Sequence, residues 1–426
     1  ERSAPSGATK FTSPSHPEPG CIVEGMTAPL NILVCGASIA GPALAYWLQR
    51  AGHQVTVVER SAEFRRGGQN VDVRGPGRVV LRDMGLESRV LAAGTGEAGL
   101  RFVDDEGAVL AEFPAGNGDS DGPTAEADIL RGELPRLLIE AGGPGVEYVF
   151  GDYVTALTQD GDRVTVDFAN GGRRQFDVVA VAEGTRSRTR DLAFDDRIRF
   201  RDLGMYTAYG TIPRTRGDDD WWRWYNAPGG RAITLRPDNV GTTRVTLSFM
   251  SSPRGYEDMD PGDQRGALRR RFAGAGWETA RILDALDSDA ELYVDQMTQV
   301  FAPRWSADRV VLVGDAAWCA TPLSGMGTTL AITGAYVLAG ELARHGDHRQ
   351  AFLAYEQRMR PLVSRAQKLP PGTPRLAHPK SRVGVAVFRT ALRLSRSAPV
   401  RFVADRLDFD SADDKFELPQ YDVGRR

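Results

Sequence analysis

One segment constrains the fold more than any other. Asn31-Ile32-Leu33-Val34-Cys35 is a short apolar run suited to a buried parallel strand, and it leads straight into the tight turn Gly36-Ala37-Ser38-Ile39-Ala40-Gly41. Ala43 to Ala51 then reads as a helix stopped by Gly52, and Gln54 to Glu59 as a second apolar strand ending in an acid. Together these make one βαβ unit. A dinucleotide fold needs small residues in such a turn: one for the turn itself, one for backbone approach to a pyrophosphate, one for helix–strand packing. Ser38 stands in the middle position, where it is small and its hydroxyl suits a phosphate oxygen. Pro42 falls in the first helical turn, where a missing N–H costs little. Behind the turn, the helix N-terminus offers N–H groups and a positive dipole end. Glu59 lies 23 residues after Gly36, with Arg60 beside it, at a strand exit where an acid accepts hydrogen bonds from ribose hydroxyls. A plain glycine turn with a surface acid uses the same residues. Strand, helix, strand and acid in register favour the nucleotide, without saying which one.

The remainder of the chain must be read around that unit. With 426 residues it exceeds one average domain, so two lobes sharing an interface are expected. No apolar run is long enough to span a bilayer, and no stable membrane association is expected. A net charge of −3 argues against a nucleic-acid partner. Cys21, Cys35 and Cys319 are too scattered for a disulfide framework or a zinc site, and the five histidines show no metal-ligand spacing. No metal is expected, and a reducing cytoplasmic location is.

Residues 1–28 are rich in Ser, Pro, Gly and Thr without an apolar core, and read as a disordered extension rather than a secretory signal. Residues 99–113 predict a hairpin turning at Asp105-Glu106-Gly107, followed by a flexible loop from Gly116 to Gly122. Glu133 to Ala141 has the spacing of an amphipathic helix. Strands are expected near 153–158, 163–168 and 175–182, the last as one nearly continuous Val/Ala run. Residues 200–300 alternate, cluster aromatics, and read as a separate antiparallel sheet. A buried strand returns at Val310-Val311-Leu312-Val313. Helices follow over Gly327 to Leu342, near 349–366, and about 382–396. The last carries Arg382, Arg389, Arg393 and Arg396 on one stripe, expected solvated, with Val387, Ala391, Leu394 and Ala398 opposite, expected to dock.

Two further stretches carry chemistry. Val310 to Val313 runs into Gly314-Asp315-Ala316-Ala317, and Pro322, Gly325, Met326, Gly327 and Thr328 follow. An acid at the carboxyl end of a buried parallel strand points into the crevice where such folds bind ligands, and can accept hydrogen bonds from a polyol. The glycines open a helix whose N–H groups suit a negatively charged ring edge. A strand–turn–helix with a capping Asp fits the residues equally well. Glu183-Gly184-Thr185-Arg186-Ser187-Arg188-Thr189-Arg190, after another buried strand, offers a polar edge tolerant of phosphate, or a solvated run of charge.

In this order and spacing, the three motifs resemble those of the class A FAD-dependent aromatic hydroxylases. This is the p-hydroxybenzoate hydroxylase-like family, which includes tetracycline-inactivating and antibiotic-tailoring monooxygenases. The resemblance covers about residues 30–365. It implies an α/β fold: a Rossmann-like FAD-binding domain with a parallel sheet, interleaved with an antiparallel-sheet substrate domain, plus a C-terminal helix. The implied boundaries are FAD-binding parts at 29–98, 126–194 and 299–366, substrate parts at 99–125 and 195–298, and a linker with helix at 367–426. It also implies that Gly36, Ser38, Ile39, Ala40 and Gly41 bind the ADP portion of FAD, with Glu59 and Arg60 at the adenosine ribose. Asp315 would bind the ribityl chain, and Pro322, Gly325, Met326 and Gly327 would support the isoalloxazine ring. Ile129-Leu130-Arg131-Gly132-Glu133-Leu134 matches the family's arginine before a helix, giving Arg131. Glu183 and Gly184 match the motif implicated in FAD and NADPH contact. In the loop from Arg65 to Gly75, Arg66 and Gln69 are cofactor candidates and Arg74 a substrate candidate; a polar loop and strand account for them as well.

There are departures. Glu183 replaces the usual Asp, and Trp318 stands where many relatives carry His, so a ring remains near the flavin that cannot titrate near neutral pH. Trp222 and Trp224, within Trp221-Trp222-Arg223-Trp224-Tyr225, are either sheet packing or an aromatic wall for a flat substrate.

The implied reaction is oxygenation of a small aromatic or polyketide-like molecule by dioxygen, with NADPH or NADH as reductant, in antibiotic metabolism or inactivation. No general base is identified, so the catalytic residues are unassigned. A flavin-dependent halogenase is the alternative enzyme. It is disfavoured because the Trp cluster continues Tyr225-Asn226 rather than Ile-Pro, and because none of Lys10, Lys368, Lys380 and Lys415 lies in a flavin motif. A flavin-binding protein without turnover is the non-enzymatic alternative.

Overall fold

Asn31–Cys35 becomes the middle of a six-stranded sheet. In the computed structural model, which describes residues 28–64, 67–116, 124–194, 198–287, 291–370, 372–395 and 416–423, this strand runs parallel to Gln54–Glu59 on one side and to Val178–Val181 on the other. Val310–Leu312 and Val146–Phe150 extend the parallel set outward, and the short antiparallel Ser306–Ala307 closes one edge. Helices cover both faces, so Ile32, Leu33, Val34 and Cys35 have no solvent exposure. That is why this strand reads as a continuous apolar run rather than an alternating one. Each such aliphatic side chain contributes about 2 kcal/mol of burial. The opening helix, Ala40–Arg50, packs on Gly327–Arg344, with Trp47 edge-on to Tyr336 at 4.9 Å.

The Val/Ala run expected as one strand over 175–182 divides at Asp177. Arg173–Phe176 pairs antiparallel with Val164–Phe168 in a three-stranded sheet, while Val178–Val181 enters the parallel sheet. The Asp177 carboxylate accepts the Asn31 N–H at 2.7 Å, which pins the crossover between the two sheets.

A seven-stranded sheet forms the second layer, in the order Leu292–Phe301, Arg199–Pro213, Thr242–Met250, Arg231–Pro237, Trp222–Ala227, Gly99–Val103, Val109–Pro114. It is antiparallel except where Trp222–Ala227 runs parallel to Gly99–Val103. Two helices unforeseen in the sequence, Pro261–Phe272 and Thr279–Leu286, back one face. There Tyr206, Ile233, Leu247 and Phe249 pack with Phe272 and Ile282. Strand alternation sends the intervening residues to the opposite face.

The C-terminal helix Arg382–Ser395 meets the expectation for its stripe in part: Arg382 and Arg393 are exposed as expected, whereas Arg389 is drawn in and the apolar side does not dock. Arg389 turns inward, bonding Asp105 at 2.8 and 3.0 Å and stacking over Tyr225, while Arg393 pairs with Asp104. Val387 and Leu394 are exposed as well. A bidentate guanidinium–carboxylate pair at the hairpin turn outcompetes a few aliphatic contacts. Arg396 and Ala398, the extension before residue 28, and the loop at 117–123 lie outside the described residues. Among the described residues no helix is long and apolar enough to cross a membrane, and no group of His, Cys, Asp and Glu could hold a metal.

Candidate active site

The opening turn is built around two positions without room for a side chain. A Cβ on Gly36, at φ +106°, would lie 2.6 Å from the Ala182 carbonyl oxygen, and one on Gly41 would lie 1.9 Å from the Gly36 carbonyl oxygen. The Gly36 N–H donates to Val58 at 2.7 Å, locking the turn to the neighbouring strand. Ile39 and Ala40 begin the helix buried, whereas Ser38 is exposed at the tip. No side chain caps the helix start, and no acid sits in its first turn, so its terminal N–H groups and positive dipole end stay available to an anion.

Glu59 reaches across from the second strand. One carboxylate oxygen accepts the Ala37 N–H and the other the Ser61 N–H, each at 2.9 Å. The acid therefore braces the turn from behind, and each oxygen keeps a lone pair for a further donor. Glu59→Ala removes both bonds. It is expected to weaken flavin binding about tenfold, since a bond to a charged acceptor contributes about 1.5–3 kcal/mol, part of which water restores. Flavin titration of the apoprotein followed by fluorescence quenching would show it, and an unchanged dissociation constant would contradict the assignment.

The second and third motifs are joined by a buried cation. Arg190, 1% exposed, donates from one guanidinium nitrogen to both the Thr185 and Ala316 carbonyls at 3.1 Å. The three arginines of that segment consequently do not form one polar edge. Arg188 stacks over Tyr153, and Arg186 turns toward Asp295, Glu257 and Asp258. A helix beginning at Arg188 rotates successive side chains away from one another. Glu183 bonds the Ser187 hydroxyl and the Thr189 N–H and hydroxyl at 2.6–3.0 Å, so its carboxylate holds the start of this helix, while Gly184 takes φ +83° beside it.

Asp315 opens the short helix Asp315–Trp318 after Gly314, whose φ of +65° no branched residue would accept. Burial raises its carboxyl above the usual range, and the positive charge of Arg131 opposes that rise. Pro322–Ser324 then forms one tight turn ended by Gly325 at φ +65°, and Met326 leads into Gly327–Arg344 with neither capping side chain nor first-turn acid. Trp318 does not stay beside this turn. It points into the core against Trp305 at 4.3 Å and over Gly334, where a Cβ would meet its ring at 2.9 Å. The large indole fills the space that the small residues of the long helix leave.

Facing these turns is the side of the seven-stranded sheet that Pro261–Phe272 and Thr279–Leu286 do not cover. Register sets Tyr293 beside Tyr209, then Thr246, Thr234, Trp224 and Phe102 in one row across the strands. Tyr209 and Tyr293 stack at 4.8 Å, the Thr234 and Thr246 hydroxyls bond at 2.6 Å, and Trp224 lies 5.5 Å from Trp222. The row is thus a hydroxyl floor between two aromatic walls, spanning about 14 Å from Tyr209 to Trp224 by interstrand spacing. Leu323, from the turn after Asp315, packs at the tyrosine end with Met205 and Met297. At the tryptophan end, His378 lies 6.3 Å from Trp224 and is 1% exposed, and burial lowers its imidazole to about 4. The Nε1 atoms of Trp222 and Trp224, Asn226 Oδ1, His378 Nε2, Gln69 Oε1 and Thr321 Oγ1 are all buried without a partner among the described residues. Six such groups around one face mark a place that a polar ligand completes.

Beneath Trp222 lies a buried ionic cluster. Arg236 stacks on its ring at 4.4 Å and pairs with Glu97 at 2.7 Å, with Asp128 and Asp72 behind; Arg74 holds Asp72 at 3.0 Å. Arg74 therefore sits in an ion pair, while its backbone N–H bonds Thr329 at 2.9 Å. Burial lifts Glu97 to about 7 and raises Asp128 as well. Because the folded value of Glu97 lies above its ordinary 4.5, the folded chain holds a proton that the unfolded chain has released. That contribution to stability is complete below about pH 4.5 and is lost as pH rises through about 7. The melting temperature is expected to fall between about pH 5 and pH 8, and Glu97→Gln to flatten the slope; equal slopes in both proteins would count against it.

Gln69 bonds the Gly210 carbonyl at 3.2 Å and so ties the loop after the second strand to the sheet, with Arg131 next to it through an Arg131 N–H to Gln69 bond of 2.8 Å. Arg66 lies outside the described residues. Tyr209, Tyr293, Thr234, Thr246, Asn226 and His378 were not anticipated. The period-two alternation of residues 200–300 carried that signal for all but His378, which only the chain's return over the sheet brings close.

Comparison with known proteins agrees with this geometry. A family model described as an FAD binding domain matches residues 30–369. The chain is a flavin-dependent monooxygenase of the class A FAD-binding family. It is 36% identical to the flavin-dependent monooxygenase eupH of Phoma sp over 92% of this chain and 98% of that one. It is 35% identical to a flavin-dependent monooxygenase of Legionella longbeachae, covering 80% and 88% of the two chains. Among solved structures, the tetracycline destructase Tet(55) superposes with a TM-score of 0.77 at 32% identity, over 93% of this monooxygenase and all of that chain. HpxO of Klebsiella pneumoniae, complexed with FAD and uric acid, shares the fold with a TM-score of 0.70 at 22% identity, over 91% and 98%.

Proposed function

We propose that this monooxygenase takes electrons from NADPH or NADH and inserts one oxygen atom from dioxygen into a flat, oxygen-bearing aromatic or polyketide-like molecule. The single observation that carries the substrate reading is the row of Thr234 and Thr246 hydroxyls bounded by Tyr209 and Tyr293 at one end and Trp224 at the other. Stacked rings at both ends suit a planar ligand, and the floor between them suits its hydroxyl and carbonyl edge.

The residues fit the cofactor. Gly36 and Gly41 keep the turn free of side chains, and two uncapped helix N-termini face where phosphates and the ring edge would lie. The orphaned Gln69 and Thr321 oxygens await a polar partner. In this reading Glu59 binds the adenosine ribose, Arg131 the neighbouring polar linkage, Asp315 the ribityl hydroxyls, and the turn from Pro322 to Gly327 the isoalloxazine edge. Bound flavin supplies the transfer of electrons to dioxygen and of oxygen to the substrate. The chain's own part is to orient the substrate on the sheet and to exclude water; Tyr209 and Tyr293, neutral phenols whose pKa values are raised further, Tyr209 chiefly by burial, donate hydrogen bonds rather than accept protons.

Tet(55) is named for tetracycline and HpxO was crystallised with uric acid, so both are informative probes. The test is oxygen-dependent oxidation of NADPH and NADH by the purified flavoprotein across tetracyclines, urate and simple phenols, with products read by mass. A gain of one oxygen atom supports the reading. Halide incorporation, or no substrate-stimulated oxygen uptake over the whole panel, would defeat it.

A further inference from the structure

A second concave site lies outside every flavin motif. It is a recess of about 410 Å³ where the bulge at 202–206 and the end of Thr242–Met250 meet Leu369, Pro370 and the segment from Gly372 to Lys380. Arg201, Arg375 and Lys380 line it, with Asp202 as the sole carboxylate in its wall among the described residues. Among the described residues none of the three cations has a carboxylate within ion-pair distance, and Arg201 bonds only the Gln299 amide, at 3.4 Å. Elsewhere among the described residues some exposed arginines pair with acids, Arg82 with Glu87 and Arg173 with Asp167, while others such as Arg60 and Arg216 do not; what sets these three cations apart is that they converge on one concavity. Three unpaired cations around one concavity create a positive field that is strengthened by the low-dielectric wall behind it.

That wall leads back to the flavin turn. Leu203 and Met250 line the recess and also belong to the methionine cluster, with Met205 and Met297, that packs against Leu323. One layer of flexible apolar side chains thus separates the recess from the turn assigned to the isoalloxazine edge. Methionine side chains repack at little cost. The outer rim is fastened to the sheet by Gly229 and Gly230, whose N–H groups donate to the Lys380 and Pro379 carbonyls at 2.7 and 3.2 Å. Lys380 and Arg375 are therefore presented on a tied segment rather than a loose one.

We propose that this recess binds the phosphates of the reduced nicotinamide dinucleotide, with Arg375, Lys380 and Arg201 as the anion contacts and the Leu203–Met250 wall as the side from which its ring approaches the flavin. The assignment rests on the oxygenase reading, which requires such a reductant, and adds where it docks. Among the described residues no second dinucleotide-binding βαβ unit is present to hold it in the usual way, so its anionic middle falls to side chains.

The test compares the intact flavoprotein with an Arg375→Ala/Lys380→Ala double variant. Both residues are exposed and have no ion pair among the described residues, so folding and flavin content should be unchanged. NADPH and NADH binding is followed by nicotinamide fluorescence, flavin reduction by stopped-flow absorbance, and inorganic pyrophosphate serves as competitor. At least a tenfold rise in the dissociation constant for both nucleotides, an unchanged limiting rate of flavin reduction, and loss of pyrophosphate competition are expected. Unchanged nucleotide affinity overturns the proposal. So does pyrophosphate that binds the wild type here without displacing NADPH, which would mark an adventitious anion site. If neither nucleotide reduces the wild-type flavin, the oxygenase reading fails on its own. In that event, loss of NADPH binding in the double variant still supports the recess, and retained binding rejects it.

Discussion

Gly41→Ala is expected to yield a protein that no longer retains flavin. The added Cβ would lie 1.9 Å from the Gly36 carbonyl oxygen, which is backbone and has nowhere to move, because Gly36 itself is held by Val58 and has the Ala182 carbonyl at its own back. Relief requires the opening helix to slide away from the first strand, and that displaces the N–H groups on which a pyrophosphate would rest. The cost is on the order of 3 kcal/mol, at the upper end for a single methyl group. It should appear both as a lowered melting temperature and as loss of the 450 nm absorption. Gly346→Ala is the control: a Cβ there meets nothing within 4 Å, so colour and stability should match the parent. A yellow Gly41→Ala protein with parental stability would show that the turn is not the close-packed element described.

Asp315→Ala should lose flavin without losing the fold. In the proposed arrangement the carboxylate accepts ribityl hydroxyls, and a charge-assisted bond contributes about 1.5–3 kcal/mol, or roughly 10- to 100-fold in affinity. The ionised carboxyl is already disfavoured by burial, with only Arg131 and Cys319 acting the other way. Removing it therefore relieves a desolvation penalty in the apoprotein. The apoprotein should melt at the same temperature or higher while the flavin dissociation constant rises. That pairing of effects separates a ligand-binding role from a structural one. Full flavin occupancy after gel filtration would reject the role, and a lower apoprotein melting temperature would point to a structural acid.

The elements easiest to read in advance were those whose residues answer to neighbours in sequence. The glycine turn, the acid ending the second strand and the Gly314-Asp315 strand exit are each set by steric limits over a few residues, and they stand where the spacing predicts. The tyrosine–threonine–tryptophan row was out of reach for the opposite reason. Tyr209, Thr246, Thr234 and Trp224 come from four strands, and only the pairing register makes them neighbours. A shift of one residue in any strand would turn its member of the row toward the helices behind.

Trp318 and Arg389 show the same division at single positions. Their identities raised questions about flavin contact and solvation, yet the answers depended on distant residues. The gap over Gly334 draws the indole inward, and the acid of a hairpin 284 residues away draws in the guanidinium. What the sequence by itself determined is where a dinucleotide could be held, because that depends on short-range backbone geometry and on charge at strand ends. Which side chains form the substrate floor, which charges are paired, and where unpaired cations gather around a recess were decided only by the tertiary structure, since each is a contact between segments whose separation the chain alone does not specify.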